Sequence, residues 1–211
     1  MLSLSTIRAA KLLEVPPSQS SSSWALHGRA QISTLRVREA FVKERYGQVG
    51  HERLLEHAGE RLRQVLTVAD PSDGWISFDL FIELCVLIDR LFGRGDHGLI
   101  LQMGRYSAEH TSGVWKSMFE RGMDIHQFMN IASGLWHRHY DSGRVVAQSN
   151  RETETELTIE DMPLPHRAHC LSVKGWLEGV FSFSPDTRVE IVELGCRAAG
   201  NPRCTMRATW R

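Results

Sequence analysis

Four residues near the end of the chain have types and spacing suited to a metal site. They are Cys170, Glu193, Cys196 and Cys204, in the pattern Cys-x22-Glu-x2-Cys-x7-Cys. Cys170 falls on the apolar side of a helical run, with Val173, Leu177 and Phe181 at helical spacing. Period-two alternation then puts Val189, Ile191 and Glu193 on one side of a strand. It puts Cys204, Met206, Ala208 and Trp210 on one side of the last strand. Cys170, Glu193 and Cys204 therefore point inward, and Cys196 ends the strand that carries Glu193. A buried carboxylate without a partner is costly. A divalent cation held by three thiolates removes that cost, and zinc accepts sulfur and carboxylate oxygen in a closed tetrahedral set. Such a centre is net negative, and Arg197, Arg203 and Arg207 lie close in sequence to offset it. The alternative is three small buried residues and a glutamate that reaches solvent. A strand end twists easily, and no CxxC pair sharpens the signal.

A second candidate is apolar. The stretch from Met103 to Tyr140 is rich in aromatic residues and methionine, and a sheet with one apolar face follows. It predicts a cavity lined by Phe81, Cys85, Met103, Tyr106, Trp115, Phe119, Phe128 and Trp136, with Tyr106 or His110 as the polar contact. A core filled by the same rings is the competing reading. Cys85 by itself reads as a core residue. His137 and His139 are two apart at a helix end, on different sides of it, so they form no joint metal site. No dinucleotide fingerprint, phosphate loop or nucleophile elbow is present. An enzyme is therefore not expected.

These residues must be positioned by a helical first half and a mixed second half. The pattern from Ile32 to about Ala69 is helical in two segments broken at Gly47, and Asp70 to Gly74 is a dense turn signal. A nearly buried helix spans Phe78 to Phe92, capped by Ser77, with only Asp79, Glu83 and Arg90 on a polar strip. Helices follow around Asp96 to Phe119 and Ile125 to Tyr140. The period then changes. Gly143 to Gln148 and Glu152 to Glu160 read as strands, the second with alternating glutamates on its outer face. A helix from Arg167 to Phe181 precedes strands Arg188 to Cys196 and Cys204 to Trp210. Short links favour antiparallel pairing, and the class is α+β.

The 211 residues suit one domain, placed at 24–211 after a tail over 1–23 that ends in Pro16-Pro-Ser-Gln-Ser-Ser-Ser-Ser23. Lys+Arg and Asp+Glu are equal at 25 each, which gives no whole-chain attraction to nucleic acid or anionic membrane. No apolar run has the length of a membrane span and no secretory signal is visible, so a cytoplasmic location is expected.

The cysteine spacing, with Gly200 before the last cysteine and the closing Trp210, resembles the 4-vinyl reductase domain. It is especially similar to the sensor domains of phenol-responsive transcription activators, whose structural zinc is held by three cysteines and one glutamate in this order. The upstream part resembles an uncharacterised family known mainly from myxobacteria, through Phe41-Val-Lys-Glu-Arg-Tyr-Gly47, Leu101-Gln-Met-Gly104 and Trp136-His-Arg-His-Tyr-Asp-Ser-Gly143. The resemblance implies an α+β fold shared by small-molecule sensors, haem-based nitric oxide sensors and trafficking-complex subunits. It also implies zinc on Cys170, Glu193, Cys196 and Cys204, a homodimer, and an apolar ligand between helices and sheet. The haem branch needs a proximal histidine and a Tyr-x-Ser-x-Arg motif, which Tyr106-Ser-Ala does not supply, so haem is disfavoured. The expected function is a small-molecule-binding regulatory or sensor domain with an unidentified downstream protein partner. A tetrapyrrole-binding accessory protein or 4-vinyl reductase of pigment biosynthesis is one alternative, and a protein-interaction subunit is the other.

Overall fold

The structure is a computed structural model that describes residues 27–68, 74–184 and 188–211. The tail over 1–23 and the turn at 70–73 lie outside the described residues. The first strand, β1 (Arg29–Gln31), pairs antiparallel with β2 (Trp75–Ser77), and together they bracket the first helices. Between them run α1 (Ile32–His57) and α2 (Glu60–Thr67). At Gly47 the chain takes φ 67° and kinks α1, a conformation that favours glycine. The sequence places a break there, and Gly47 is non-helical in the structure, dividing α1 into two helical segments across a kink.

The central helix is α3 (Phe78–Phe92), with the bounds that its two apolar stripes predict. Phe78, Phe81, Leu84, Cys85 and Ile88 are fully buried on it. Asp89, also buried, turns back on the next loop and accepts hydrogen bonds from the amides of His97 and Leu99, both at 2.9 Å. These bonds fix the entry into α4 (Gly98–His110), which is followed by α5 (Ser112–Glu120) and α6 (Ile125–His139). A reciprocal cap starts α6: Gln127 N–H donates to Asp124 Oδ1 at 2.7 Å, and Asp124 N–H donates to Gln127 Oε1 at 3.2 Å.

The second half contains β3 (Arg144–Arg151), β4 (Glu154–Glu160), α7 (Arg167–Phe181), β5 (Val189–Gly195) and β6 (Cys204–Trp210). The sheet order is β3-β4-β6-β5, antiparallel throughout. Its inner face carries Val145, Leu157, Ile159, Ile191, Met206 and Ala208. The fold is α+β, with a helical first half and then an antiparallel sheet with a packed helix. No helix among the described residues is long and apolar enough to cross a membrane.

Two contacts set the geometry of the interior. First, α4 and α7 meet backbone to backbone through Gly104, Gly175 and Gly179: a Cβ on Gly175 would lie 2.1 Å from Leu101 O. Second, the end of α6 returns to β1, where Arg29 N–H and Arg29 Nε each donate to the Asp141 carboxylate at 2.6 Å and Ala30 bridges Tyr140. The first contact brings the start of α7 against α3, and the second brings Tyr140 over the same region.

Candidate functional site

The three late cysteines converge where α7 begins and β5 turns into β6. His166 caps α7, its Nδ1 accepting the amide of Ala168 at 3.1 Å, which places Cys170 one turn in. After β5 the chain makes a single 3-10 turn at Arg197–Ala199, and Gly200 at φ 86° reverses it. Asn201 Oδ1 accepts the Cys196 amide at 3.2 Å and locks the loop. As a result the sulfurs of Cys170, Cys196 and Cys204 all lie within 4.8 Å of one another, and all three residues are buried. The thiol of Cys196 donates to Cys170 Sγ at 3.7 Å, and Arg197 N–H donates to Cys204 Sγ at 3.2 Å. The hydrogen bond from Cys170, helped by the Arg197 amide, draws the Cys204 thiol down to about 6. The same bond, with burial, pushes Cys170 up. One sulfur of the three is thus the anionic member.

Glu193 is not part of this sulfur group. Its carboxylate is taken by Arg167, a residue at the start of α7, and that bond raises the Arg167 guanidinium's pKa. The inward carboxylate is therefore neutralised by an arginine one helix turn from Cys170, with no cation required. Strand alternation put Glu193 on the correct side but was blind to this partner.

The residues proposed as cavity lining fall into four places. Phe81, Cys85 and Trp136 join one ring cluster together with Phe78, Tyr140 and His169. In it Tyr140 and His169 stand 4.8 Å apart between ring centres, Phe78 and His169 5.0 Å, and Trp136 and His169 5.5 Å. Trp115, Phe119 and Phe128 join a second cluster with Trp176 and Phe181, in which Phe128 stands 5.2 Å from Phe181 and 5.9 Å from Trp176. Met103 is buried on α4. Tyr106 and His110 are elsewhere. Tyr106 donates to Glu44 at 2.6 Å on the outside of α4, and the exposed His110 packs beside it at 5.5 Å. Burial and Glu44 push the Tyr106 phenol up to about 12.

The first cluster contains polar residues that the sequence reading did not select. His169 is 2% exposed, and its Nε2 has no hydrogen-bond partner. Burial, with Arg38 nearby, lowers its pKa to about 3, so the imidazole is neutral. Arg38 is 5% exposed and lies over the Phe81 ring, 5.0 Å from its centre. Burial pushes the Cys85 thiol up while the Arg38 guanidinium beside it pulls the other way, and burial also holds the Tyr140 phenol well above its usual range. A signal for Arg38 was present: it stands three residues after Leu35 and four before Val42, on the apolar stripe of α1. His169 offered only its adjacency to Cys170.

No known family profile matches the chain, and no curated protein resembles it. Among solved structures it is similar to an oxygen-binding H-NOX domain related to soluble guanylate cyclases, with TM-score 0.61 and 13% identity over 85% of this chain and 94% of that one. An H-NOX protein from S. oneidensis in its Fe(II)NO state gives TM-score 0.62 and 14% identity over 84% of this chain and 97% of that one. A Cs H-NOX mutant gives 0.63 and 15% over 86% and 96%. The fold is that of H-NOX domains. The 4-vinyl reductase assignment is corrected accordingly: the matches fall on the haem-sensor branch, which the sequence motifs had set aside. The cysteine and glutamate spacing, Gly200, Trp210 and three short upstream motifs carried that assignment, and the matched structures share the fold at only 13–15% identity.

The zinc expectation is corrected with it. The H-NOX neighbours are described with haem, oxygen or Fe(II)NO, and the fourth zinc ligand, Glu193, is engaged by Arg167. Nor do the residues of the ring cluster or of α6 fit a haem. Of its buried histidines, His51 bonds Glu39 at 2.8 Å, and His169 is packed against Phe78, Phe81, Trp136 and Tyr140. A porphyrin bound to His169 Nε2 has to take volume that those rings fill. His126, at the start of α6, has both nitrogens engaged, by Ser149 Oγ and Glu152 O at 2.8 Å each. His137 and His139 are exposed at the other end of α6.

Proposed function

We propose that the chain is a small-molecule-binding sensor domain whose ligand is an apolar, ring-containing compound smaller than haem, received by the Phe78, Phe81, Trp136, Tyr140 and His169 cluster, whose closely packed rings must part to admit it. The observation that carries this reading is the unpartnered Nε2 of His169, enclosed by aromatic rings. An unsatisfied polar atom in such a place costs about 1–3 kcal/mol. A ligand that supplies its partner recovers that cost on binding. Trp136 and Tyr140, at 6% and 7% exposure, are the least buried rings of the cluster and form its outward side. The coextensive match to single H-NOX domains supports a module that binds and reports rather than one that catalyses.

The same proposal takes residues 24–211 as one domain, places it in the cytoplasm, and has it act as a homodimer upon a downstream protein. Val192 and Leu194, 45% and 43% exposed on edge strand β5, supply an apolar surface for such contacts. The three thiols of Cys170, Cys196 and Cys204 form a separate buried group, without Glu193.

Native mass spectrometry of protein incubated with cell extract, together with a haemin titration, tests the reading. One ring-containing small molecule per chain and no saturable haem absorption band are expected. A one-to-one haemin complex that is lost in His169→Ala would overturn the exclusion of haem. Protein that retains no small molecule and co-purifies with another chain would favour the interaction-subunit reading, which the close ring packing also suits.

A further inference from the structure

Arg38 carries a charge that the protein does not balance. Its guanidinium donates to two neutral acceptors, Thr34 O at 2.9 Å from Nη1 and Ser172 Oγ at 2.6 Å from Nη2. Its Nε–H has no partner. No carboxylate among the described residues pairs with it. Glu39, the next residue along, is turned away to Arg36 at 2.8 Å, Lys43 at 2.7 Å and His51 at 2.8 Å. The titratable groups that feel the Arg38 charge are Cys85, His139, Tyr140 and His169, and none is an anion at neutral pH. A buried guanidinium with no counter-charge is among the costlier arrangements in a protein interior. Four buried side-chain atoms among the described residues lack a partner, Arg36 Nε, Arg38 Nε, Ser142 Oγ and His169 Nε2; of the two arginines, Arg36 is paired with Glu39 and Arg38 with no carboxylate.

Another of these four atoms lies in the same place. His169 Nε2, also unpartnered, belongs to the cluster around Phe81, the ring on which the Arg38 guanidinium sits. Ser172, which holds Arg38, is one turn further along α7 from His169. Two buried orphan nitrogens, one of them cationic, thus border one aromatic cluster. The Nε–H of a guanidinium and the Nη2–H beside it are parallel donors that match a carboxylate; here Nε–H is free and Nη2 also holds Ser172. A neutral imidazole protonated on Nε2 adds a third donor.

We infer that Arg38 and His169 form a buried acceptor site for the carboxylate of the ligand, so that the ligand class is a small aromatic carboxylate. This rests on the sensor reading above and narrows it. The carboxylate supplies the missing counter-charge, and the rings of Phe78, Phe81, Trp136 and Tyr140 contact its apolar body. Neutral ring compounds leave both nitrogens unpartnered and bind more weakly.

The test uses the whole chain and three pairs of probes: benzoate, phenylacetate and 2-naphthoate, each against its own amide, at fixed ionic strength. Calorimetry and thermal shift are measured on wild type, Arg38→Met and Arg38→Lys. At least one carboxylate is expected to bind wild type about ten- to a hundred-fold tighter than its amide, as a charged hydrogen bond implies. Arg38→Met is expected to erase that preference while still binding the amide. Arg38→Lys keeps the charge without the fork and is expected to fall between, which decides the matter if Arg38→Met does not fold. Amides that bind as tightly as carboxylates would overturn the carboxylate site and leave the sensor reading standing. Carboxylate preference that survives in both Arg38 variants would overturn the role of Arg38. No binding of any probe would overturn this inference and the apolar-ligand reading together.

Discussion

Replacing Gly175 with alanine tests the contact that brings His169, Cys170 and Ser172 to the interior. An alanine Cβ there would lie 2.1 Å from Leu101 O, 2.9 Å from Leu101 C and 3.2 Å from Gly104 Cα. All three are backbone atoms, so no side chain can rotate away. Reaching ordinary contact near 3.4 Å moves α7 from α4 by about 1.3 Å. Overpacking of a tight interior costs typically about 1–3 kcal/mol, and a backbone clash falls in the upper part of that range. Better helix propensity returns up to about 1 kcal/mol. The net loss is about 2 kcal/mol, or about 4–8 °C in Tm for a chain of this length. Gly134→Ala is the control. It lies on α6, exposed, with nothing within 4 Å of its Cβ position, and should gain about 0.5–1 kcal/mol by the same propensity. Urea melts of both variants measure the difference. A Gly175→Ala protein as stable as wild type, or two variants that shift alike, would refute the close-packed helix pair.

Other expected outcomes concern separate parts of the molecule. Burial works to raise the Glu39 carboxyl, but Lys43 and Arg36 outweigh it and hold the pKa below its ordinary value. Wild type should therefore exceed Glu39→Gln in stability at neutral pH, and the gap should close below about pH 4 as the carboxylate protonates, measured by melts across pH. Asp124→Ala removes the reciprocal cap of α6 and should cost about 0.5–2 kcal/mol in urea denaturation, a result that Asp124→Ser largely restores. All four cysteines are free and buried, so a thiol reagent should titrate four groups in denaturant and react slowly with the native chain. Tyr106→Phe and His110→Ala change the outer surface of α4, so benzoate binding should match wild type in both; a tenfold loss in either would return them to the ligand site.

The sequence by itself determined the elements whose sides are chemically distinct. The two apolar stripes of α3 and the alternation in β6 set their bounds, and the alternation in β4 set its end at Glu160 but its start two residues early, because burial of one face decides local periodicity. The inward facing of Cys170 and Cys204 was legible for the same reason, each on the apolar side of its own element, while Cys196 follows the end of β5 and joins them through the turn after it. The short strands β1 and β2 were not legible, since three residues carry no period and pair only when α1 and α3 are already docked. Tertiary structure alone decided which inward groups have partners. It gave Glu193 the Arg167 guanidinium and thereby removed the carboxylate from the sulfur cluster. It carried Tyr106 and His110 to the outer side of α4, although helical facing inferred from neighbours had placed them inside. It also set Arg38 and His169, 131 positions apart in the chain, on the same ring cluster without a counter-ion. A single element's pattern reports which side is buried. Whether a buried charge is balanced depends on the elements packed against it, and those are chosen only when the whole chain folds.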